Sequence, residues 1–188
     1  GIKMKNNYSE THQYFIDLDI SAIDRQSIER VIDNIAPFVT RLANCKSTVD
    51  KLKIVLSKSS TNDLIKLTKN ISIDKMIFNG CGSRILEIFI ERFTNDNLIL
   101  QIKNDFLDSL YRYFNSNLKM VLNDCYSTHV LRKLFEHFHI NLKLTYIDFE
   151  SEHVLNTIIT YLKVQNNREC QRICCLTHKK KDEEHKED

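Results

Sequence analysis

Ser83-Arg84-Ile85-Leu86-Glu87 places a hydroxyl, a guanidinium and a carboxylate within five residues. If the segment is helical, the first and fifth residues are neighbours on one face. A serine hydroxyl and a glutamate carboxylate both accept hydrogen bonds from a guanine Watson–Crick edge, and a guanidinium stacks on a base plane. That is recognition chemistry, and it makes or breaks no bond. Two other stretches have the same layout. Thr128-His129-Val130-Leu131-Arg132 offers stacking through His129 and a phosphate or acceptor contact through Arg132, without a clear base preference. Val49-Asp50-Lys51-Leu52-Lys53 is a poor base reader, in which Lys53 attracts phosphate and Asp50 repels it. The three registers begin 34 and then 45 residues apart.

A plainer account of the same residues stands beside this one. Ser83 can cap a helix, and Arg84, Glu87, Arg132 and Lys133 can be ordinary solvated charges. Catalytic chemistry finds little support. His129 has no Cys, Ser or carboxylate spaced to complete a triad. No glycine-rich loop is present to wrap a phosphate. Cys170, Cys174, Cys175 and His178 have the spacing C-x3-C-C-x2-H, but zinc sites usually draw their remaining ligands from elsewhere in the chain. Burial of these small cysteines against the last repeat is preferred, so neither a metal nor a cofactor is expected. Tyr111, Tyr113, Phe114, Tyr126 and Phe135 include candidate stacking rings, although most fall on an apolar stripe.

The elements holding these residues read as helices. Only 3 Gly and 1 Pro occur in 188 residues, too few for the turns of a sandwich or barrel. The 42% hydrophobic content suffices for a continuous core. No apolar run reaches membrane-spanning length. The net charge of +2 selects no partner, so any nucleic-acid surface needs its positive charge gathered on one face. With no secretory leader at the start and the six cysteines taken as free thiols, a reducing, intracellular setting is the simplest reading.

Asp24 is placed to cap a helix from Arg25 to about Ile35, followed by Pro37 in a first turn. Val49 to Leu56, Leu64 to Leu67, Ile85 to Phe93, Phe106 to Phe114 and Val130 to Phe135 carry apolar residues at helical spacing. The order short helix, break, long helix, third helix recurs every 35 to 45 residues, as in a helical solenoid. The expected organisation is a flexible N-terminus over 1–12, capping helices over 13–35, about three repeats over 36–138, C-terminal helices over 139–178 and a charged disordered tail over 179–188. Residues 139–178 read as a fourth repeat or a cap, with a cap preferred because no recognition pentad is visible there.

Asn-Gly-Cys-Gly-Ser-Arg-Ile-Leu-Glu and Asp-Cys-Tyr-Ser-Thr-His-Val-Leu-Arg resemble the RNA-facing helix of Pumilio (PUF) repeats. The order Leu42-Ala43-Asn44, Leu-x-x-Val-Leu, Gly-Ser-Arg-Ile-Leu-Glu, Ser-Thr-His-Val-Leu-Arg-Lys-Leu, with Tyr14-Phe15-x-x-Leu18 ahead of it, is similar to the divergent subfamily of nucleolar protein 9. The resemblance covers about residues 11–138. It implies an all-α, right-handed superhelical solenoid of three-helix repeats. It implies binding of single-stranded, pre-ribosomal RNA through Ser83, Arg84, Glu87, Thr128, His129, Arg132 and Lys53 on the concave face. It further implies a role in small-subunit rRNA maturation, ribosome-assembly proteins as partners and a place in the nucleus and nucleolus, where Lys179-Lys180-Lys181 is a weak import signal. The subfamily has more repeats than the three countable here, so the chain reads as a fragment or a reduced homologue. A monomer without enzymatic activity or membrane attachment is expected. The alternative is an armadillo or HEAT-like scaffold that holds a protein instead of RNA.

Overall fold

The computed structural model describes residues 7–95 and 105–140, and every described element is helical. The expected C-terminal helices, the tail and the Cys170–His178 cluster lie outside the described residues.

Helix α1 spans Tyr8–Asp17 and α2 spans Arg25–Ile35. A 3-10 turn at Ala36–Phe38 leads into α3 (Val39–Ala43), and α4 covers Val49–Lys58. Then come α5 (Thr61–Thr68), α6 (Ile73–Met76) and α7 (Gly82–Asn95). The last set is α8 (Asp105–Ser116), α9 (Leu118–Leu122) and α10 (Cys125–Ile140). The described chain is thus one leading helix and three sets of long, short and long helices.

Local chemistry sets these boundaries. Asp24 caps α2 by accepting the Ser27 N–H at 2.8 Å. Ser60 and Asp63 form a reciprocal capping box at α5, with the Asp63 N–H donating to Ser60 Oγ and the Ser60 N–H donating to Asp63 Oδ2. Asn79 opens α7 by accepting the N–H groups of Cys81 and Gly82 at 2.8 and 3.0 Å. Capping at this break therefore belongs to Asn79 and not to Ser83. Helix α1 starts inside the stretch expected to be flexible. Asn7 caps it by accepting the Ser9 N–H at 2.8 Å, and the Tyr8 ring packs on Phe38, 5.9 Å between centroids. The short apolar cluster of Tyr14, Phe15 and Leu18 did not reveal that cap.

Helix α2 packs on α4 and α5 as well as on α1. It belongs with α3 and α4 in a first three-helix set, so the expected boundary at residue 35 falls within that set. Equivalent helices of successive sets touch: α2 meets α5, α3 meets α6, and α7 packs on both α4 and α10. One hydrophobic cluster runs from Phe15 through Ile32, Leu52, Leu64 and Phe89 to Leu134. Between the second and third sets, Phe89, Phe93 and Phe106 form a ring trio with centroids 5.7 to 6.1 Å apart. Each such ring stabilises the junction by about 1.5–3 kcal/mol through burial. Basic side chains of α4 and α7 satisfy carbonyls at or just past the ends of α1 and α4. Arg92 donates to the carbonyls of Leu56 and Ser59 at the end of α4. Lys51 donates to the carbonyls of Ile16 and Leu18, and Lys58 to that of Ile20. Cations at helix C-termini satisfy orphan carbonyls and complement the helix dipole.

Candidate functional site

The breaks before α4, α7 and α10 are built alike, which fixes the register of the residues that follow. The Thr48 hydroxyl donates to the Leu42 carbonyl at 2.6 Å, and the Ser127 hydroxyl donates to the Val121 carbonyl at 2.6 Å. Both span six residues, and both precede the recognition pentad by one position. In the middle set that position is Gly82. A Cβ there would overlap Asn44 Oδ1 and would lie 3.0 Å from the Met76 carbonyl oxygen. Asn44 fills the space instead, its Nδ2 donating to the Lys75 carbonyl at 2.9 Å. Val49, Ser83 and Thr128 are consequently equivalent, as are Asp50, Arg84 and His129, and likewise Lys53, Glu87 and Arg132.

Equivalent positions do not have equivalent surroundings. Arg84 and His129 are exposed, whereas Lys53, Glu87 and Thr128 are half-buried. Ser83 is only 2% exposed and Arg132 only 7%. The first turn of α7, which carries Ser83, is set against α3 and α6. From the solvent side, Arg84 and Glu87 are therefore reached before the Ser83 hydroxyl. The Thr128 hydroxyl donates to the Cys125 carbonyl at 2.9 Å. Lys53 pairs with Asp50 on its own helix at 3.4 Å.

The α7–α10 seam draws the largest group together. Glu87 lies among Arg84, His129, Arg132 and Lys133. Burial raises its carboxyl pKa above the usual carboxylate range, while the charges of those four groups pull it back down. Arg132 Nη2 donates to His129 Nδ1 at 2.6 Å. Lys133 reaches Glu91 across the seam at 3.5 Å. The seam thus presents three permanent cations, two carboxylates and one imidazole on two packed helices.

One contributor went unseen in the sequence, and a second, Tyr126, was one of five candidate stacking rings. Lys133 reads there as an ordinary surface residue, and only the contact between α7 and α10 shows its role. The Tyr126 ring is 44% exposed and packs over Gly80, where an added Cβ would lie 3.1 Å from the ring. Of the other candidate stacking rings, Phe114 is buried and Tyr113 packs partly against the core. The clue to Tyr126 was its place in the Asp124-Cys125-Tyr126 break, ahead of the apolar stripe. Among the described residues no group of three or more His, Cys, Asp or Glu is arranged to hold a metal ion. Among them also, no helix is long and apolar enough to cross a membrane. Comparison of the chain with protein-family models, curated proteins and solved structures yields no significant match.

Proposed function

We propose that the chain binds single-stranded RNA along the row of third helices, as a short array of Pumilio-like repeats. The observation that carries this reading is the α7–α10 seam, where equivalent pentad positions of neighbouring sets place Arg84, His129 and Arg132 around Glu87, with Lys133 beside them. Arg84 supplies an exposed guanidinium for stacking or for phosphate. Glu87 supplies the acceptor that distinguishes bases, and the cations around it favour the charged form that accepts best. Arg132, buried in the seam, holds His129 in position, and the buried Ser83 anchors the first turn of α7 against α3 and α6. Tyr126 offers a further ring for stacking at the start of α10. Lys53 contributes a phosphate contact from α4, weakened by Asp50. One base-reading repeat flanked by two backbone-contacting ones gives binding led by charge and shape, with modest sequence preference.

By the resemblance, the RNA is pre-ribosomal, the process is small-subunit rRNA maturation, and the setting is the nucleolus. A right-handed superhelix with this row on its concave side is the architecture that the resemblance adds to the three helix sets. Fluorescence-polarisation titration with labelled single-stranded RNA pools at two salt concentrations tests the reading. Binding that weakens steeply with salt is the expected result. Absence of binding by folded protein at low salt overturns it and leaves the armadillo or HEAT-like protein scaffold as the reading to pursue.

A further inference from the structure

A second constellation lies away from the α7–α10 seam, at the corner where α1 meets the α3–α4 break. Cys45 Sγ lies 3.0 Å from Ser47 Oγ and 3.7 Å from His12 Nε2. His12 Nε2 and Ser47 Oγ are themselves 3.3 Å apart, which closes a triangle of thiol, imidazole and hydroxyl. The imidazole comes from 33 residues away in sequence. Its ring is held by Tyr8, 5.6 Å between centroids, and the Tyr8 ring lies under the Arg41 guanidinium at 3.6 Å. This is the layout of an activated nucleophile: a thiol within hydrogen-bond reach of an imidazole that a third group orients. Ser47 is exposed and Cys45 half-buried, so a small reagent reaches the sulfur from solvent.

We propose that Cys45 is a nucleophilic thiol, positioned by His12 and Ser47, that undergoes exchange with low-molecular-weight disulfides. The thiolate attacks one sulfur of the disulfide. A bond forms between Cys45 Sγ and that sulfur as the reagent's own S–S bond breaks. The departing thiolate takes a proton from water. Cys45 is oxidised to a mixed disulfide, and half of the reagent is reduced to a free thiol. The hydrogen bonds that favour the thiolate, from Ser47 first and His12 second, lower the Cys45 pKa to about 6. The sulfur's charge in turn reaches Tyr8, where it adds to the effect of burial in raising the phenol pKa. The adduct displaces the sulfur's contacts with His12 and Ser47, so modification loosens the docking of α1 on the α3–α4 break.

The test uses the full chain and glutathione disulfide as the probe. The rate at each cysteine is followed from pH 5 to 9 by acid quench and peptide-resolved mass spectrometry, in native buffer and in urea. In the folded chain the Cys45 rate is expected to level off just above pH 6, whereas in urea it climbs through pH 8–9 as for an ordinary thiol. After allowing for the lower intrinsic nucleophilicity of a low-pKa thiolate, folding accelerates the reaction at pH 6 by about ten-fold. His12→Gln and Ser47→Ala each move the folded profile toward higher pH. Ser47 is exposed, so its variant keeps the test decisive if the His12 change disturbs α1. A folded Cys45 profile that matches the urea profile, a Cys45 that reacts only in urea, or a midpoint unmoved by both variants overturns the proposal.

Discussion

Helix α4 and the α7–α10 seam use the same three pentad positions in different ways. On α4, Val49 is buried, and Asp50 pairs with Lys53 three residues along the same helix. The charges of Asp50 and Lys53 are thus answered on their own helix. On the seam, Glu91 of α7 reaches Lys133 of α10, and Glu87 lies among four groups drawn from both helices. A pentad whose charges close on themselves leaves little to offer a ligand. A pentad whose charges are shared between packed helices forms a surface that exists only when the sets stack. On the proposed reading, the junction, more than the individual helix, is the functional unit.

Breaking the junction without touching a charge has the largest expected effect. Phe89→Ala removes one ring of the Phe89–Phe93–Phe106 trio and costs about 3–5 kcal/mol. Urea denaturation reads this as a lowered midpoint. Loss of RNA binding with α4 intact would show that the seam acts through stacking.

Gly82→Ala comes next, because it strikes the feature that separates the middle break from its neighbours. The new methyl must displace Asn44 and crowd the Met76 backbone, an overpacking cost of about 1–3 kcal/mol. Thermal melts of Gly82→Ala, Asn44→Ala and the double variant check this. The double variant is expected to recover part of the loss, since the Met76 carbonyl stays 3.0 Å from the added carbon.

Glu87→Gln sharpens the comparison through pH. The Glu87 carboxyl is raised in the folded chain, chiefly by burial, so its contribution to stability is fully present below the unfolded carboxylate pKa and is lost as pH rises through the folded value. Glu87→Gln is therefore expected to stabilise the chain modestly at pH 7, with the gain fading as pH falls toward about 4. Denaturation midpoints at pH 4 and 7 read the difference, and Asp50→Asn on α4 is the comparison variant. The smallest expected effect is at Lys53. Lys53→Ala is expected to weaken RNA binding alike across sequences and to lower the salt slope by about 1, as read by titration at several salt concentrations.

Helix identity and pentad register were legible because both are written within short segments. Asp24 before Arg25 and the 34- and 45-residue offsets of the trios need no knowledge of the neighbours. What was not legible depends on packing between distant segments. Ser83 looks like any helix-opening serine until the close approach of Asn44 and Met76 beside Gly82 shows how tightly that turn is held. Arg132 looks like a surface residue until α10 is set against α7. The His12–Cys45 contact spans 33 residues and leaves no periodic trace. The start of α1 depends on the Asn7 cap and on Tyr8 meeting Phe38, and neither belongs to the apolar stripe that announces a helix.

The most direct test of the central claim is fluorescence polarisation with single-stranded RNA pools, comparing the unchanged chain with the Arg84→Ala/Glu87→Ala double variant and with Asp50→Ala/Lys53→Ala. The seam variant is expected to lose about ten-fold in affinity, about 1.4 kcal/mol, together with its base preference. The α4 variant is expected to change affinity only about two- to three-fold and to keep that preference. Unchanged affinity and unchanged base preference in a folded seam variant would contradict the account.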